Sequence, residues 1–75
     1  MKATDRNGHT IETGARVQMH FTSMYGHPAA AHAATVETVV SLPGVGDFVN
    51  VTLDEAHAHF GARIFNVNPN ELTIA

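Results

Sequence analysis

The sequence predicts a small all-β domain: a five-stranded barrel with a one-turn helix before its last strand. Three observations carry that expectation. Four segments alternate apolar and polar side chains with a period of two, the pattern of half-buried strands. Breakers separate them, among them Asn7-Gly8, Gly26 with Pro28, and Pro43-Gly44. No segment sustains helical periodicity over three turns. Closing such a sheet into a barrel removes the edges that an open five-stranded sheet would expose.

Residues 1–14 read as a polar lead-in with a turn at Asn7-Gly8, Ile11 being the one apolar side chain to tuck beneath the barrel. The first strand is 15–22, with Val17, Met19 and Phe21 on one face and Arg16, Gln18, His20 and Thr22 on the other. Residues 23–31 form a loop punctuated by Gly26 and Pro28. The alanines after Pro28 are too few to hold a helix without packing. The second strand, 33–42, places Val36, Thr38 and Val40 together and turns Glu37 to solvent.

Residues 42–47 are a hairpin loop in which Pro43-Gly44 suits the centre of a type II turn. The third strand, 48–53, sets Val49, Val51 and Leu53 against Phe48, Asn50 and Thr52. A connection over 54–61 leads to the fourth strand, 62–68, whose alternation assigns Phe65 and Val67 to the core. Pro69 ends that ladder because it has no N–H to donate, and its fixed φ suits the start of a helical turn. Asn68 is placed to cap the turn, Leu72 to point back at the core, and a short closing strand follows.

Seventy-five residues make one domain, 1–75, with a modest core. A chain of this size buries roughly 60–65% of its unfolded surface, so stability is expected to be marginal. There is no cysteine, hence no disulfide or thiolate zinc site to reinforce it, and a cytoplasmic setting is expected. No apolar run is long enough to span a membrane and no signal-peptide core opens the chain. The formal charge of −3 disfavours avid nucleic-acid binding, although six histidines make the charge sensitive to pH between about 5 and 7.

The run from Asp5 to Val17 (Asp-Arg-Asn-Gly-His-Thr-Ile-Glu-Thr-Gly-Ala-Arg-Val), the alternating strands after it, and the closing Val67-Asn68-Pro69-Asn70-Glu71-Leu72 together resemble small SH3-like barrels. They are most similar to the KOW-like type of bacteria and phages, and the resemblance spans nearly the whole chain. It implies a 3-10 turn between the fourth and fifth strands, where Pro69 to Leu72 falls. Peptide-binding SH3 domains usually carry a tyrosine in that turn and an aromatic pair in the first loop. Here Leu72 occupies the turn and Tyr25 stands alone, which argues against recognition of proline-rich peptides. KOW-like barrels often contact RNA or the transcription and translation machinery through basic loops, which this chain lacks.

Chemistry-bearing motifs are few. His57 and His59 project to one side if extended and form the best metal-ligating pair, but a site needs a third or fourth ligand, for which His9, His20, Asp54 and Glu55 are candidates only by elimination. Asp54-Glu55-Ala56-His57 spells a helicase box without the phosphate-cradling loop that box requires. Neither Ser23 nor Ser41 lies in a nucleophile elbow. So small a barrel has little room for a catalytic pocket, and neither an enzyme nor a cofactor is expected. The expected function is a non-enzymatic interaction module that binds a protein partner through the 23–31 loop and the 43–48 turn. Met24, Tyr25 and Phe48 would supply apolar contacts, with Arg16 and His27 at the polar rim. The alternatives are a KOW-like nucleic-acid module using Arg6, Arg16, Arg63 and protonated histidines, or a metal-binding protein built on His57 and His59.

Overall fold

The computed structural model describes residues 3–21, 30–58 and 60–75, with the side chains of all but Phe21 and Ala30 among them. The expected 23–31 loop, with Met24, Tyr25 and His27, lies almost wholly outside the described residues, as does His59. The chain is all-β. Among the described residues seven strands follow in order: β1 Ala3–Thr4, β2 Thr10–Ile11, β3 Arg16–Phe21, β4 Ala30–Leu42, β5 Gly46–His57, β6 Gly61–Val67 and β7 Leu72–Ile74, with a 3-10 turn at Pro69–Glu71 before the last.

β3 to β7 form one antiparallel sheet in the order β6-β5-β4-β3-β7. The sheet stays open instead of closing into a barrel, with β6 and β7 as its edges. β7 is only three residues long and follows a 3-10 turn that begins with Pro69, so the chain spends its reversal on the turn and pairs β7 with β3 alone. The lead-in is more ordered than expected: β1 and β2 pair as a small separate sheet around the Asn7-Gly8 turn. Ile11 is fully buried there, as expected of an apolar side chain in a polar lead-in.

The core lies on one face of the large sheet. Val17 and Met19 of β3 meet Ala34 and Val36 of β4, Val49, Val51 and Leu53 of β5, Val67 of β6 and Leu72 of β7 in one buried cluster, with Ala3 and Ile11 covering it. The 43–45 turn has the expected geometry. The Val45 N–H donates to the Leu42 carbonyl at 3.0 Å, and Gly44 takes φ 77°, which a type II turn demands at its third position. The last turn also forms as expected. The Asn68 side chain accepts from the Asn70 N–H at 3.0 Å, and Leu72 comes out of the turn completely buried.

Two β-bulges correct the predicted facing of side chains. In β4, Val36 pairs with Val51 and Thr38 with Asn50, so Glu37 is an extra residue. The phase slips by one: Val39 packs on the core, while Thr38 is exposed with Glu37 instead of sharing Val36's face. In β6, Val67 pairs with Val49 and Ile64 with Val51, so Phe65 and Asn66 together oppose Asn50. Asn66 adopts φ 57°, a left-handed conformation that asparagine tolerates better than most residues. Ile64 therefore packs on the core, and Phe65, expected inside, is 64% exposed on the opposite face.

Strand lengths differ as well. β4 begins at Ala30, and β5 runs on to His57, so the connection expected over 54–61 shrinks to 58–60. No helix among the described residues is long and apolar enough to cross a membrane.

Candidate functional site

The outer face of the sheet is built in cross-strand rows. Arg16, Thr35, Thr52 and Arg63 stand opposite one another across β3, β4, β5 and β6. Arg16 donates through Nη1 to Thr35 Oγ1 at 2.6 Å and to Asp54 Oδ1 at 2.7 Å, and its Nη2 donates to Asp54 Oδ2. These hydrogen bonds hold the Asp54 carboxyl below its usual range and raise Arg16 further above its own. Both side chains are about half exposed, so the pair is screened by solvent and adds little stability. It does occupy the Arg16 guanidinium on its own sheet.

Phe48 lies elsewhere. It pairs with Val40, four rungs from the Thr35–Thr52 rung beside Arg16, or about 13 Å along the strand. Phe48 is half-buried at the hairpin end, where Leu42 (44%) and Val45 (69%) are exposed. With Thr4, Asn68, Pro69 and Asn70 it lines a surface groove between the hairpin and the 3-10 turn. Phe21 and Ala30, the residues either side of 22–29, pair at the other end of β4. The structure thus brings Phe48 and the 43–45 turn together but leaves Arg16 apart from them, and the anchors of the 22–29 segment are at the far end of the sheet.

At that far end His57 packs against Phe60, with ring centroids 4.8 Å apart, and meets His32 edge-on at 5.7 Å. The Phe60 N–H donates to His57 Nδ1 at 3.2 Å. Sequence reasoning missed His32, which comes from a different strand. Among the described residues no group of three or more histidine, aspartate or glutamate side chains is gathered as a metal would require.

A second feature that sequence reasoning missed is Asp5. Its side chain is fully buried. Burial opposes its ionisation, but backbone N–H groups of Ile74, His9 and Asn7 outweigh that cost and hold the carboxyl below its usual range. Asn7 and His9 donate to Oδ1 at 2.9 and 2.8 Å, and Ile74 donates to Oδ2 at 2.9 Å. Asp5 thereby fastens the β1–β2 turn to the last strand, which is a structural task. An aspartate two residues before an asparagine-glycine turn was the available signal.

The third missed feature surrounds Phe65. Its ring stands on the outer face beside Glu37, Thr38, Asn50, Thr52 and Arg63, which line a groove of about 220 Å³. Asn50 is held at both ends of its amide: Nδ2 donates to Thr38 Oγ1 at 2.9 Å, and Oδ1 accepts from the Asn66 N–H at 2.9 Å. Thr52 Oγ1 donates to Glu37 Oε1 at 2.6 Å. The two bulges that displace Glu37 and Phe65 lie on either side of Asn50 and shape this groove together. Compared with protein-family models, curated proteins and solved structures, the chain matches none.

Proposed function

We propose that the chain is a small non-enzymatic interaction module, an open variant of the SH3-like architecture, that binds a protein partner at its hairpin end. The observation that carries the reading is the apolar exposure there: Leu42 and Val45 project from the hairpin beside the half-buried Phe48. An apolar centre with a polar rim (here Thr4, Asp47, Asn68 and Asn70 around Val45 and Phe48) is the usual composition of a protein interface. The SH3-like part of the proposal draws on the meandering sheet with its last strand returned beside β3, and on the 3-10 turn before that strand.

A KOW-like nucleic-acid module is the second reading, favoured by the row that carries Arg16 and Arg63 across one face. Against it stand the occupation of Arg16 by Asp54 and the net charge of −3. The test uses the full chain immobilised beside its Val45→Asp/Leu42→Ser variant. Proteins retained by the wild type and lost by the variant, with the melting temperature unchanged, support the reading. An identical retained set refutes it, and retention dominated by nucleic acid favours the second reading.

A further inference from the structure

The groove around Phe65 is not part of the hairpin end, and its chemistry differs. We propose that it is a binding site for a neutral saccharide, with one sugar ring stacked on Phe65.

A large aromatic ring is the costliest kind of residue to leave in water, and here it is left there by construction. The bulge at Asn66 turns Phe65 away from the core while Ile64 and Val67 on either side of it pack inward. Burying that ring against a ligand's apolar face recovers the hydrophobic and dispersion energy the fold leaves unused. The C–H face of a pyranose is such a surface, flat and about one ring wide.

The rim supplies what the sugar's hydroxyl groups need. Each hydroxyl both donates and accepts, so its best partners are a mixed set held at fixed positions. Glu37 spends one carboxylate oxygen on Thr52 and keeps the other as an acceptor. Asn50, fixed by Thr38 and by the Asn66 backbone, retains a second amide hydrogen. The Arg63 guanidinium makes no hydrogen bond or ion pair with another described residue, and its forked donors suit two adjacent oxygens. Because the internal hydrogen bonds already hold Glu37, Asn50, Thr38 and Thr52 in place, a ligand has few rotamers left to freeze.

Charge selects the neutral class. Arg63 and Glu37 offset each other at the groove, and the chain as a whole is negative, so a polyanion gains nothing by approaching. One aromatic ring among polar side chains also lacks the successive apolar pockets that a proline-rich peptide needs. The volume, about 220 Å³, accommodates a single ring with its substituents.

The test is a titration of the full isotopically labelled chain, followed by backbone amide resonances. The probes are the methyl glycosides of glucose, galactose, mannose and N-acetylglucosamine, each taken to about 50 mM because so small a ligand binds in the millimolar range. Saturable shifts confined to Thr38, Asn50, Thr52 and Arg63 to Asn66 with at least one glycoside are expected. Phe65→Ala should weaken binding at least tenfold without lowering the melting temperature, and Phe65→Trp should restore or strengthen it. Val45→Asp should leave it unchanged, which separates this site from the protein-partner reading. The proposal is overturned if none of the four glycosides shifts these amides or if Phe65→Ala binds as well as wild type. Tighter binding of a short oligothymidylate to the same amides would also overturn it, in favour of base stacking.

Discussion

Leu72 is the residue on which the fold's closure depends, and its truncation should be felt throughout the molecule. The side chain is fully buried, emerges directly from the 3-10 turn, and sits opposite Met19 where β7 meets β3. Leu72→Ala removes three carbons, about 2.4 kcal/mol of transfer free energy at ~0.8 kcal/mol per methylene. The cavity left behind raises the total to ~3–4 kcal/mol, because β7 is tied to Asp5 and β3 and cannot collapse inward. A domain of this length has a total stability of only about 4–11 kcal/mol. At roughly 4–8 °C per kcal/mol for a small domain, the melting temperature should fall by ~12–30 °C. Leu72→Asp adds an unpaired buried carboxylate and should leave no cooperative transition at 25 °C. The assay is thermal unfolding followed by far-UV circular dichroism, with Leu42→Ala as control, the same truncation at a 44% exposed site. A Leu72→Ala melt within about 5 °C of wild type would refute the reasoning. So would equal losses at positions 72 and 42.

The β6 bulge gives a sharper local test. Asn66→Gly should change stability by less than ~1 kcal/mol, whereas Asn66→Val should cost ~1–2 kcal/mol because a branched side chain resists φ near 57°; urea unfolding that finds the valine variant as stable as the glycine one would contradict the bulge. Acid should act through Asp5. Its folded carboxyl titrates below the unfolded value, so its contribution is complete above about pH 4 and is lost as pH falls through the lower, folded value. Melting temperature plotted against pH should therefore drop less steeply below that point in Asp5→Asn than in wild type, and parallel curves would show that the carboxylate's charge is not what matters.

Much of this fold is legible in the sequence because its strands alternate cleanly. Val49, Val51 and Leu53 announce their own face, and Pro43-Gly44 and Asn68-Pro69 announce their turns. What alternation cannot reveal is a slip of phase. Glu37 and Asn66 each add one residue to a strand without changing its composition, and every side chain beyond the slip changes face. The spacing from Val67 assigns Phe65 to the core, and the bulge between them moves it to solvent. The candidate site was illegible for the same reason, since the groove exists only because two such slips face each other across Asn50. The left-handed tolerance of asparagine was the one hint, and Asn68 two residues further on dilutes it. Asp5 and Ile74 lie 69 residues apart, beyond what any local pattern can connect.

That separation also bears on the order in which the molecule assembles. β4 and β5 are joined by a three-residue turn and register against each other from Leu42 with Gly46 back to Ala34 with Leu53, so their pairing closes only a short loop. The Asp5 contacts to β7 must instead close almost the entire chain, a much larger entropic cost. The long hairpin is therefore expected to pair first, and the clamp between the β1–β2 turn and the last strand to form after the rate-limiting barrier. Interactions made late leave the folding rate nearly untouched and act on unfolding alone. On that order Asp5 is a kinetic latch, and Asp5→Asn should speed unfolding in stopped-flow denaturant jumps while leaving the folding rate nearly unchanged; an equal slowing of folding would refute it.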